Sequence, residues 1–238
     1  MNILGKVAVV TGASTGIGAA IARELSRSGM KLVLTARSVE RLDDVLRSLT
    51  EEAEVVSGSI GDPKTASQLL DRATARFGQV DVLINNAGML AMGSVDDIDL
   101  DDVSEMIRTN LESVVRCSYV FARKFKAQRH GTILNVSSVA AFGARPTMGV
   151  YAGTKAAIET FSNSLRVELG PHGVKVGCIA PGSTSTDMLL ELRGHLGMPN
   201  DAPAAAPEDI ARAVRFMLEQ PLGVNIAGVR IYSAGEPN

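Results

Sequence analysis

Short apolar runs rich in β-branched residues alternate along the chain with segments of helical pattern. Runs of this kind are typical of buried strands, and their alternation with helices is typical of a parallel sheet. Seven strands are predicted near residues 6–11, 31–35, 54–57, 80–84, 131–136, 174–180 and 228–232. Right-handed crossovers then put helices on both faces and bring ligands to the carboxyl ends of the strands. We therefore expect an α/β fold with a doubly wound, about seven-stranded parallel sheet.

The length of 238 residues suffices for one large α/β domain, although length alone would also permit two. No linker, internal repeat or low-complexity tract divides the chain, so residues 1–238 are predicted to form a single domain. Hydrophobic residues make up 45% and aromatic residues only 4% of the chain, which suits packing of helices on a sheet through small side chains.

The net charge of −2 leaves no general basic surface, so nucleic acid is not expected as a partner. No apolar run approaches the roughly 20 residues that span a bilayer, and no cleavage-like site follows the start; we expect a cytoplasmic protein without a membrane partner. Cys117 and Cys178 form no Cys-x-x-Cys pair and are interpreted as reduced thiols. No metal-binding set accompanies His130, His172 or His195, so no metal is predicted.

A glycine-rich turn joins the first strand to a helix-compatible segment, Ala19 to Arg27. In this turn Gly12 permits a tight bend, Gly16 lets the main chain approach a pyrophosphate, and Gly18 allows close helix packing. No Gly-Lys-Ser/Thr follows, which favours a dinucleotide over a nucleoside triphosphate. The alternative is that the glycines serve ordinary turns. The expected ligand contacts here are Gly12, Ser14, Thr15, Gly16, Ile17 and Gly18.

The choice between NAD and NADP is predicted from the end of the second strand. An acidic residue at that place would bind the ribose hydroxyls of NAD, but the chain has Thr35-Ala36-Arg37-Ser38. Without a carboxylate to repel a phosphate, and with a guanidinium able to grip one, the site favours NADP(H), with Arg37 and Ser38 as contacts. Arg37 could instead be a solvated loop residue.

Tyr151 and Lys155 stand four positions apart and would share one face of a helix. An ammonium about 4 Å from the phenol contributes roughly 4 kcal/mol at an effective dielectric near 20, or about three pKa units. We therefore expect a lowered pKa for Tyr151, which makes the phenolate accessible near neutral pH. Alone the pair is a weak signal, because most such pairs are surface neighbours.

Several motifs occur together in one order, and their joint occurrence is far more specific than any one of them. They are Thr11-Gly12-x-x-x-Gly16-x-Gly18, Asn85-Asn-Ala-Gly88, Asn110, Ser138, Tyr151-x-x-x-Lys155 and Pro181-Gly182. Over nearly its whole length the chain resembles the short-chain dehydrogenases/reductases. The resemblance implies a single Rossmann domain and an oxidoreductase that interconverts a carbonyl and an alcohol.

The same resemblance implies catalytic roles for four residues. Tyr151 would exchange a proton with the substrate oxygen, and Ser138 would hydrogen-bond that oxygen. Lys155 would lower the pKa of the phenol and hold the nicotinamide ribose, while Asn110 would place a water that links Lys155 to solvent. Alternatively, Ser138 could be a turn residue at the end of a strand, and Asn110 a kink within a helix. Ser137 is interpreted as structural.

Further cofactor contacts follow from the resemblance. The residues implied are Asn86, Ala87, Gly88, Tyr151, Lys155, Pro181, Gly182, Thr184 and Thr186. On the adenine side the chain has Ser59 and Ile60 where relatives usually carry Asp-Val, so a carboxylate contact with the adenine amino group would be lost. Asp62 either compensates or caps the next helix before Pro63, and we favour the cap.

The resemblance also places the substrate, a small carbonyl or alcohol compound. A mobile lid is implied at approximately residues 187–207, although a plain surface excursion is the alternative. An apolar pocket wall would come from Val139–Phe142, Met89–Met92 and Met148. Arg145 is either an anchor for a substrate carboxylate or an exposed loop cation.

Relatives usually pair through two long helices, here about 101–126 and 151–170, so a homodimer or homotetramer is expected. The tail at residues 225–235 lacks the common Val-Asp-Gly-Gly ending, which makes a tetramer less secure. That tail loosely resembles the branch that oxidises serine and other 3-hydroxy acids. The alternatives to an NADP(H)-dependent enzyme are a non-catalytic NADP-sensing protein and an NAD-preferring hydroxy-acid dehydrogenase, with a nucleotide-sugar epimerase or dehydratase ranked lower.

Overall fold

The structure, a computed structural model, describes residues 2–236. Its sheet has seven parallel strands in the order β3-β2-β1-β4-β5-β6-β7. The strands are β1 Val7–Thr11, β2 Lys31–Ala36, β3 Ala53–Ser57, β4 Val82–Asn85, β5 Gly131–Val136, β6 Val174–Pro181 and β7 Gly228–Ile231. The predicted seven-stranded parallel sheet is confirmed, with boundaries shifted by one or two residues.

Eight α-helices are present in the part of the chain that the structure describes. They are α1 Gly16–Arg27, α2 Val39–Arg47, α3 Thr65–Phe77, α4 Leu100–Ile107, α5 Ser113–Gln128, α6 Gly149–Leu169, α7 Asp187–Leu196 and α8 Pro207–Glu219. The prediction of one continuous helix over 101–126 is wrong in one respect. A π-helical turn at Arg108–Glu112 separates α4 from α5, because the local hydrogen bonding skips one residue further than in an α-helix.

Two apolar layers sandwich the sheet. Side chains alternate along each strand, so Ala8 and Val10 face α1, α2 and α8, while Val7 and Val9 face α3, α5 and α6. Burial of such strands on both faces is what produces their nearly continuous apolar sequence. Each fully buried Val or Leu stabilises the fold by about 1.5–3 kcal/mol. The doubly wound arrangement predicted from the sequence is therefore confirmed.

Buried polar side chains join the central strands to the helices that cover them. Asn85 Nδ2 at the end of β4 donates to Asn135 Oδ1 of β5 at 2.8 Å and to Ser118 Oγ of α5 at 3.1 Å. Asn135 Nδ2 in turn donates to Ser162 Oγ of α6 at 2.8 Å. All four side chains are at most 3% exposed, so the loss of one partner would leave a buried polar group unpaired. This chain of bonds fixes the ends of β4 and β5, from which the segment 86–89 and Ser138 continue.

Candidate active site

The glycine-rich turn after β1 is bonded to the segment after β4. The Thr11 hydroxyl accepts the main-chain N–H groups of Asn86 and Ala87, each at 3.0 Å. Asn86 Nδ2 donates to the carbonyls of Thr11 and Gly12 at 3.0 and 3.1 Å. The strand order reverses between β1 and β4, and ligands of open parallel sheets bind at such a reversal. These bonds hold together the two segments that form the floor of the crevice.

Gly18 and Gly12 leave space that side chains would fill. A Cβ added at Gly18 would lie 2.1 Å from the carbonyl oxygen of Gly12 and 2.5 Å from Asn86 Nδ2. A Cβ at Gly12 would lie 2.7 Å from the Cα of Ala87, and the φ angle of Gly12, 64°, lies in the left-handed region. Because glycine has no Cβ at these two positions, α1 can lie close to the loop after β4.

The substitution Gly18→Ala is expected to lower the free energy of unfolding by about 1–3 kcal/mol, the usual cost of overpacking, and to weaken dinucleotide binding. Urea unfolding and titration of NADPH fluorescence measure the two effects. Gly153→Ala is the matched control, because a Cβ at Gly153 of α6 meets nothing within 4 Å. A Gly18→Ala protein as stable as the control would contradict the steric role of this glycine.

The start of α1 has the properties of an anion site. Thr15 is its N-cap but makes no side-chain hydrogen bond to the helix, and the first turn contains no acidic residue. The first N–H groups of a helix have no intrahelical acceptor and carry a partial positive charge. The bare amides of the first turn therefore fit a pyrophosphate, as expected from the glycine spacing.

These elements open into one cleft of about 400 Å³ along the carboxyl ends of the strands. Every residue that the sequence assigns to the cofactor lines it. They are Gly12, Ser14, Thr15, Gly16, Ile17, Gly18, Arg37, Ser38, Ser59, Ile60, Asn86, Ala87, Gly88, Tyr151, Lys155, Pro181, Gly182, Thr184 and Thr186. The structure thus brings the predicted set together. The turn formed by Gly12, Gly16 and Gly18, which we call the glycine cradle, and the uncapped start of α1 together fit a dinucleotide.

The end of the cleft that the sequence assigns to adenosine lies beside β2 and β3. Ser38 caps α2 by accepting the N–H of Arg41 at 3.3 Å, which places Arg41 one turn from the exposed Arg37. Arg41 also lines the cleft and pairs with Asp187 at 3.5 Å. The sequence reasoning missed Arg41, although its position in the first turn of a helix capped by Ser38 was a usable signal.

Asp62 accepts the main-chain N–H of Lys64 at 2.8 Å, in the turn that precedes α3. The favoured prediction that Asp62 caps this helix is wrong: the N-cap of α3 is Lys64, and Asp62 forms its bond within the turn before the helix. Ser59 Oγ accepts the N–H of Gly61 at 3.2 Å and its hydroxyl lines the cleft.

Tyr151 and Ser138 both line the cleft. Ser138 caps the short 3-10 helix Val139–Phe142, because its Oγ accepts the N–H of Ala140 at 3.2 Å. Ser138 is near enough for hydrogen bonding to favour a lower pKa of Tyr151. Burial raises the pKa of Tyr151 above its ordinary value of 10.0, and Ser138 only partly offsets this. The neutral phenol is therefore the resting form of Tyr151.

The prediction that Lys155 lowers the pKa of Tyr151 is wrong for this arrangement. Lys155 Nζ lies 5.8 Å from the centre of the Tyr151 ring and donates to the carbonyl of Val136 at 3.0 Å. Burial also lowers the pKa of Lys155 from 10.5 to about 8. The sequence-based estimate counted the attraction between the two groups but not their desolvation, and desolvation dominates for side chains that are 8% and 4% exposed.

Asn110 is fully buried in the π-helical turn and does not line the cleft. Its amide makes a paired contact with the main chain of Met89: Oδ1 accepts the N–H and Nδ2 donates to the carbonyl, both at 2.8 Å. The second proton of Nδ2 points to Thr154 Oγ1 at 3.4 Å. Asn110 therefore fixes the segment at Gly88 and Met89, and both of its Nδ2 protons are engaged within the protein.

Residues 187–207 consist of α7 and a following loop. Leu189 and Leu192 of α7 line the cleft. The guanidinium of Arg193, also in α7, donates to the carbonyls of Asn200, Ala202 and Pro203 in the loop. The segment predicted as a mobile lid, with a plain surface excursion as the alternative, thus contains a helix, and the buried Arg193 joins that helix to the loop after it.

The wall near the Ser138 and Tyr151 hydroxyls is mainly apolar. Its members include Met89, Leu90, Val139, Ala140 and Met148, in agreement with most of the predicted wall. Arg145 also lines the cleft and is exposed. The sequence reasoning missed Ser183 and Glu236, which line the cleft as well, and no sequence signal marks Glu236 because it follows the last strand.

Comparison with known proteins gives the class. The chain matches the short chain dehydrogenase family over residues 6–196. It is 33% identical over 227 residues to an uncharacterized oxidoreductase of Staphylococcus aureus strain USA300, a match that covers 95% of this chain and 96% of the relative. An uncharacterized oxidoreductase of Staphylococcus epidermidis is 35% identical over 226 residues, with the same coverage of both chains.

Solved structures agree with this assignment. An alcohol dehydrogenase from the archaeon Thermococcus sibiricus, complexed with 5-hydroxy-NADP, superposes with a TM-score of 0.86 at 30% identity and 98% coverage of both chains. The closed form of serine dehydrogenase complexed with NADP⁺ gives a TM-score of 0.87 at 27% identity and 94% coverage of both chains. The chain belongs to the short chain dehydrogenase family and is an oxidoreductase with a Rossmann fold. Members of this family use a nicotinamide cofactor.

Within residues 2–236, no three His, Cys, Asp or Glu side chains are grouped so that they could hold a metal ion. None of the helices in this range combines the length and the apolar character needed to cross a membrane. Cys117 and Cys178 are free and buried, as expected for reduced thiols, and burial raises the pKa of each to about 12.

Proposed function

We propose that the protein interconverts a carbonyl compound and an alcohol with NADP(H), with Tyr151 as the acid and base. One observation carries this proposal: the Tyr151 and Ser138 side chains lie near each other in the same cleft as the glycine-rich turn, with the Lys155 ammonium buried beside them. A protein that only binds the dinucleotide has no need of this group of side chains.

The cofactor, when bound, supplies or takes up the hydride. Tyr151 would donate its proton to the carbonyl oxygen during reduction and take it back during oxidation. Ser138 would donate a hydrogen bond to the same oxygen as charge develops there, because its Oγ already accepts Ala140 N–H and its own proton remains available. The raised pKa of Tyr151 keeps the proton-donating form in place at neutral pH.

Lys155 would hold the nicotinamide ribose and pass protons towards Tyr151. With a pKa of about 8, its ammonium exchanges a proton near neutral pH more readily than an exposed lysine does. Asn110 would position the water of this proton route indirectly, since its side chain is committed to Met89 and Thr154. Pro181, Gly182, Thr184 and Thr186 would hold the nicotinamide end.

NADP is proposed over NAD because no acidic residue stands directly at the end of β2, while Arg37 and Arg41 both line that end of the cleft. The NADP-type ligands in the Thermococcus sibiricus alcohol dehydrogenase and in serine dehydrogenase are consistent with this choice. A guanidinium binds a phosphate through paired N–H donors, which a ribose hydroxyl cannot match.

Replacing Arg37 with Ala is expected to reduce the preference for NADP over NAD by about 10- to 100-fold, since a hydrogen bond to a charged group contributes roughly 1.5–3 kcal/mol. The measurement is kcat/KM for each cofactor. Arg47→Ala, which removes an exposed cation at the far end of α2, is the control. An unchanged NADP-to-NAD ratio in Arg37→Ala would refute the assignment of this residue.

We also propose a homodimer formed through α5 and α6. Tyr119 of α5 and Val167 of α6 are 45% and 66% exposed, and the ring of Tyr119 packs edge-on against Phe161 at 5.7 Å. Exposed apolar side chains on two neighbouring long helices are suited to pairing with a second copy. Residues 187–207 are proposed as the substrate lid, and residues 1–238 as a single domain. We also propose a cytoplasmic location, with which the two free thiols are consistent.

A further inference from the structure

The segment after β7 places the carboxylate of Glu236 in the lining of the cleft. Glu236 Oε1 accepts the N–H of Ser183 at 2.9 Å and its hydroxyl at 2.8 Å, and Oε2 accepts the N–H of Ser233 at 3.2 Å. Gly182 makes this approach possible, because a Cβ there would lie 2.4 Å from Glu236 Oε2. Donors from two separate segments thus hold the charge of Glu236 in one position.

The order of the strands places this charge at the substrate end of the cleft. Strand β2, with Arg37 after it, lies on one side of β1, whereas β5, β6 and β7 lie on the other. Ser138 follows β5, and the N–H of Ser137 donates to Ile179 of β6 at 2.8 Å, so the ends of these two strands are joined. Ser183 is the second residue after β6. Glu236 is therefore on the Ser138 side of the cleft, away from the cations of the adenosine end.

We infer that Glu236 determines the charge of the substrate: it disfavours carbonyl and alcohol compounds that carry a carboxylate and favours uncharged or cationic ones. This inference rests on the proposed carbonyl-alcohol activity. A substrate carboxylate placed about 8 Å from Glu236 would be disfavoured by roughly 5- to 30-fold at an effective dielectric of 20 to 40. Arg145, the cation beside the apolar wall, is exposed and so more strongly screened by salt than the half-buried Glu236.

The substitution Glu236→Gln tests the inference with minimal change of shape. Its amide oxygen can still accept the N–H of Ser183, so the tail keeps one of its attachments, and a thermal unfolding scan verifies that the fold is retained. The assay compares kcat/KM for ester and free-acid pairs of 2-oxo and 3-oxo acids with NADPH. Glu51→Gln removes the same charge from an exposed site outside the cleft and is the matched control.

In the unchanged protein we expect the ester to be preferred over the acid. Glu236→Gln should reduce that preference about tenfold, whereas Glu51→Gln should not. High salt should also reduce the preference in the unchanged protein, because charges are screened over about 3 Å at 1 M ionic strength. Turnover of esters with the same ester-to-acid ratio in Glu236→Gln, or a preference for the acid in the unchanged protein, would overturn the inference. Absence of turnover for every carbonyl tested would instead count against the proposed function itself.

Discussion

Replacing Tyr151 with Phe is expected to lower kcat by about 10²- to 10⁴-fold, the usual contribution of a positioned general acid or base. Phe keeps the ring that packs with Met106 and Met148 but removes the hydroxyl that lies near Ser138. The substituted protein therefore keeps its fold and its glycine cradle, and NADPH should bind with nearly unchanged affinity. Loss of turnover with retained binding is the signature of a catalytic proton donor.

Steady-state reduction of a carbonyl substrate and titration of NADPH fluorescence provide the two readouts. Tyr119→Phe is the control, because Tyr119 lies on the exposed side of α5 and outside the cleft. If Tyr151→Phe turned over its substrate at the rate of the Tyr119→Phe control, Tyr151 would not be the acid. A protein that binds NADPH but reduces no carbonyl even with Tyr151 intact would support a sensing role instead.

The substitution Lys155→Met is expected to change the pH dependence of stability by about 3 kcal/mol, from 2.5 pKa units at about 1.36 kcal/mol each. In the folded chain burial lowers the pKa of Lys155 to about 8, whereas the unfolded chain keeps a value near 10.5. Between these values the unfolded state binds more protons, so the free energy of unfolding rises with pH. The penalty of burying the ammonium is thus complete below about pH 8 and is relieved by about pH 10.5.

Urea unfolding of both proteins from pH 7 to pH 10.5 measures this effect. The stability of Lys155→Met minus that of the unchanged protein should be most favourable below pH 8 and should decrease as the pH rises. The lost hydrogen bond to Val136 adds a cost that does not depend on pH. Lys126→Met, at an exposed position of α5, is the control. A stability difference that is constant with pH would show that Lys155 is not desolvated in the folded protein.

The framework of the fold and the floor of the site follow from local patterns. The strand Val7–Thr11 and the glycines at 12, 16 and 18 each depend on neighbouring residues in the sequence, and a glycine where no Cβ fits is informative by itself. The order in which Ser138 and Tyr151 follow β5 also predicts that they meet at one edge of the sheet, because parallel strands end together there.

The burial of individual side chains and the contacts between distant parts of the chain could not be predicted from local patterns. The raised pKa of Tyr151 results from burial by residues far apart in the chain, and sequence spacing reports the distance to Lys155 but not the solvent that both groups lose. The π-helical turn that contains Asn110 could not be predicted, because no proline or glycine interrupts the helical pattern there. Glu236 reaches Ser183, 53 positions earlier in the chain, only because the tail folds back beside β6.

The bonds of Arg193 have a thermodynamic consequence for whatever contacts α7. One guanidinium satisfies carbonyls at three positions of the loop after α7, so much of the backbone freedom of this segment has been given up on folding. Because this wall is already ordered, a ligand that packs against Leu189 or Leu192 loses little binding free energy to the ordering of the chain. We therefore expect α7 and the loop after it to move together if this wall moves, because Arg193 joins them.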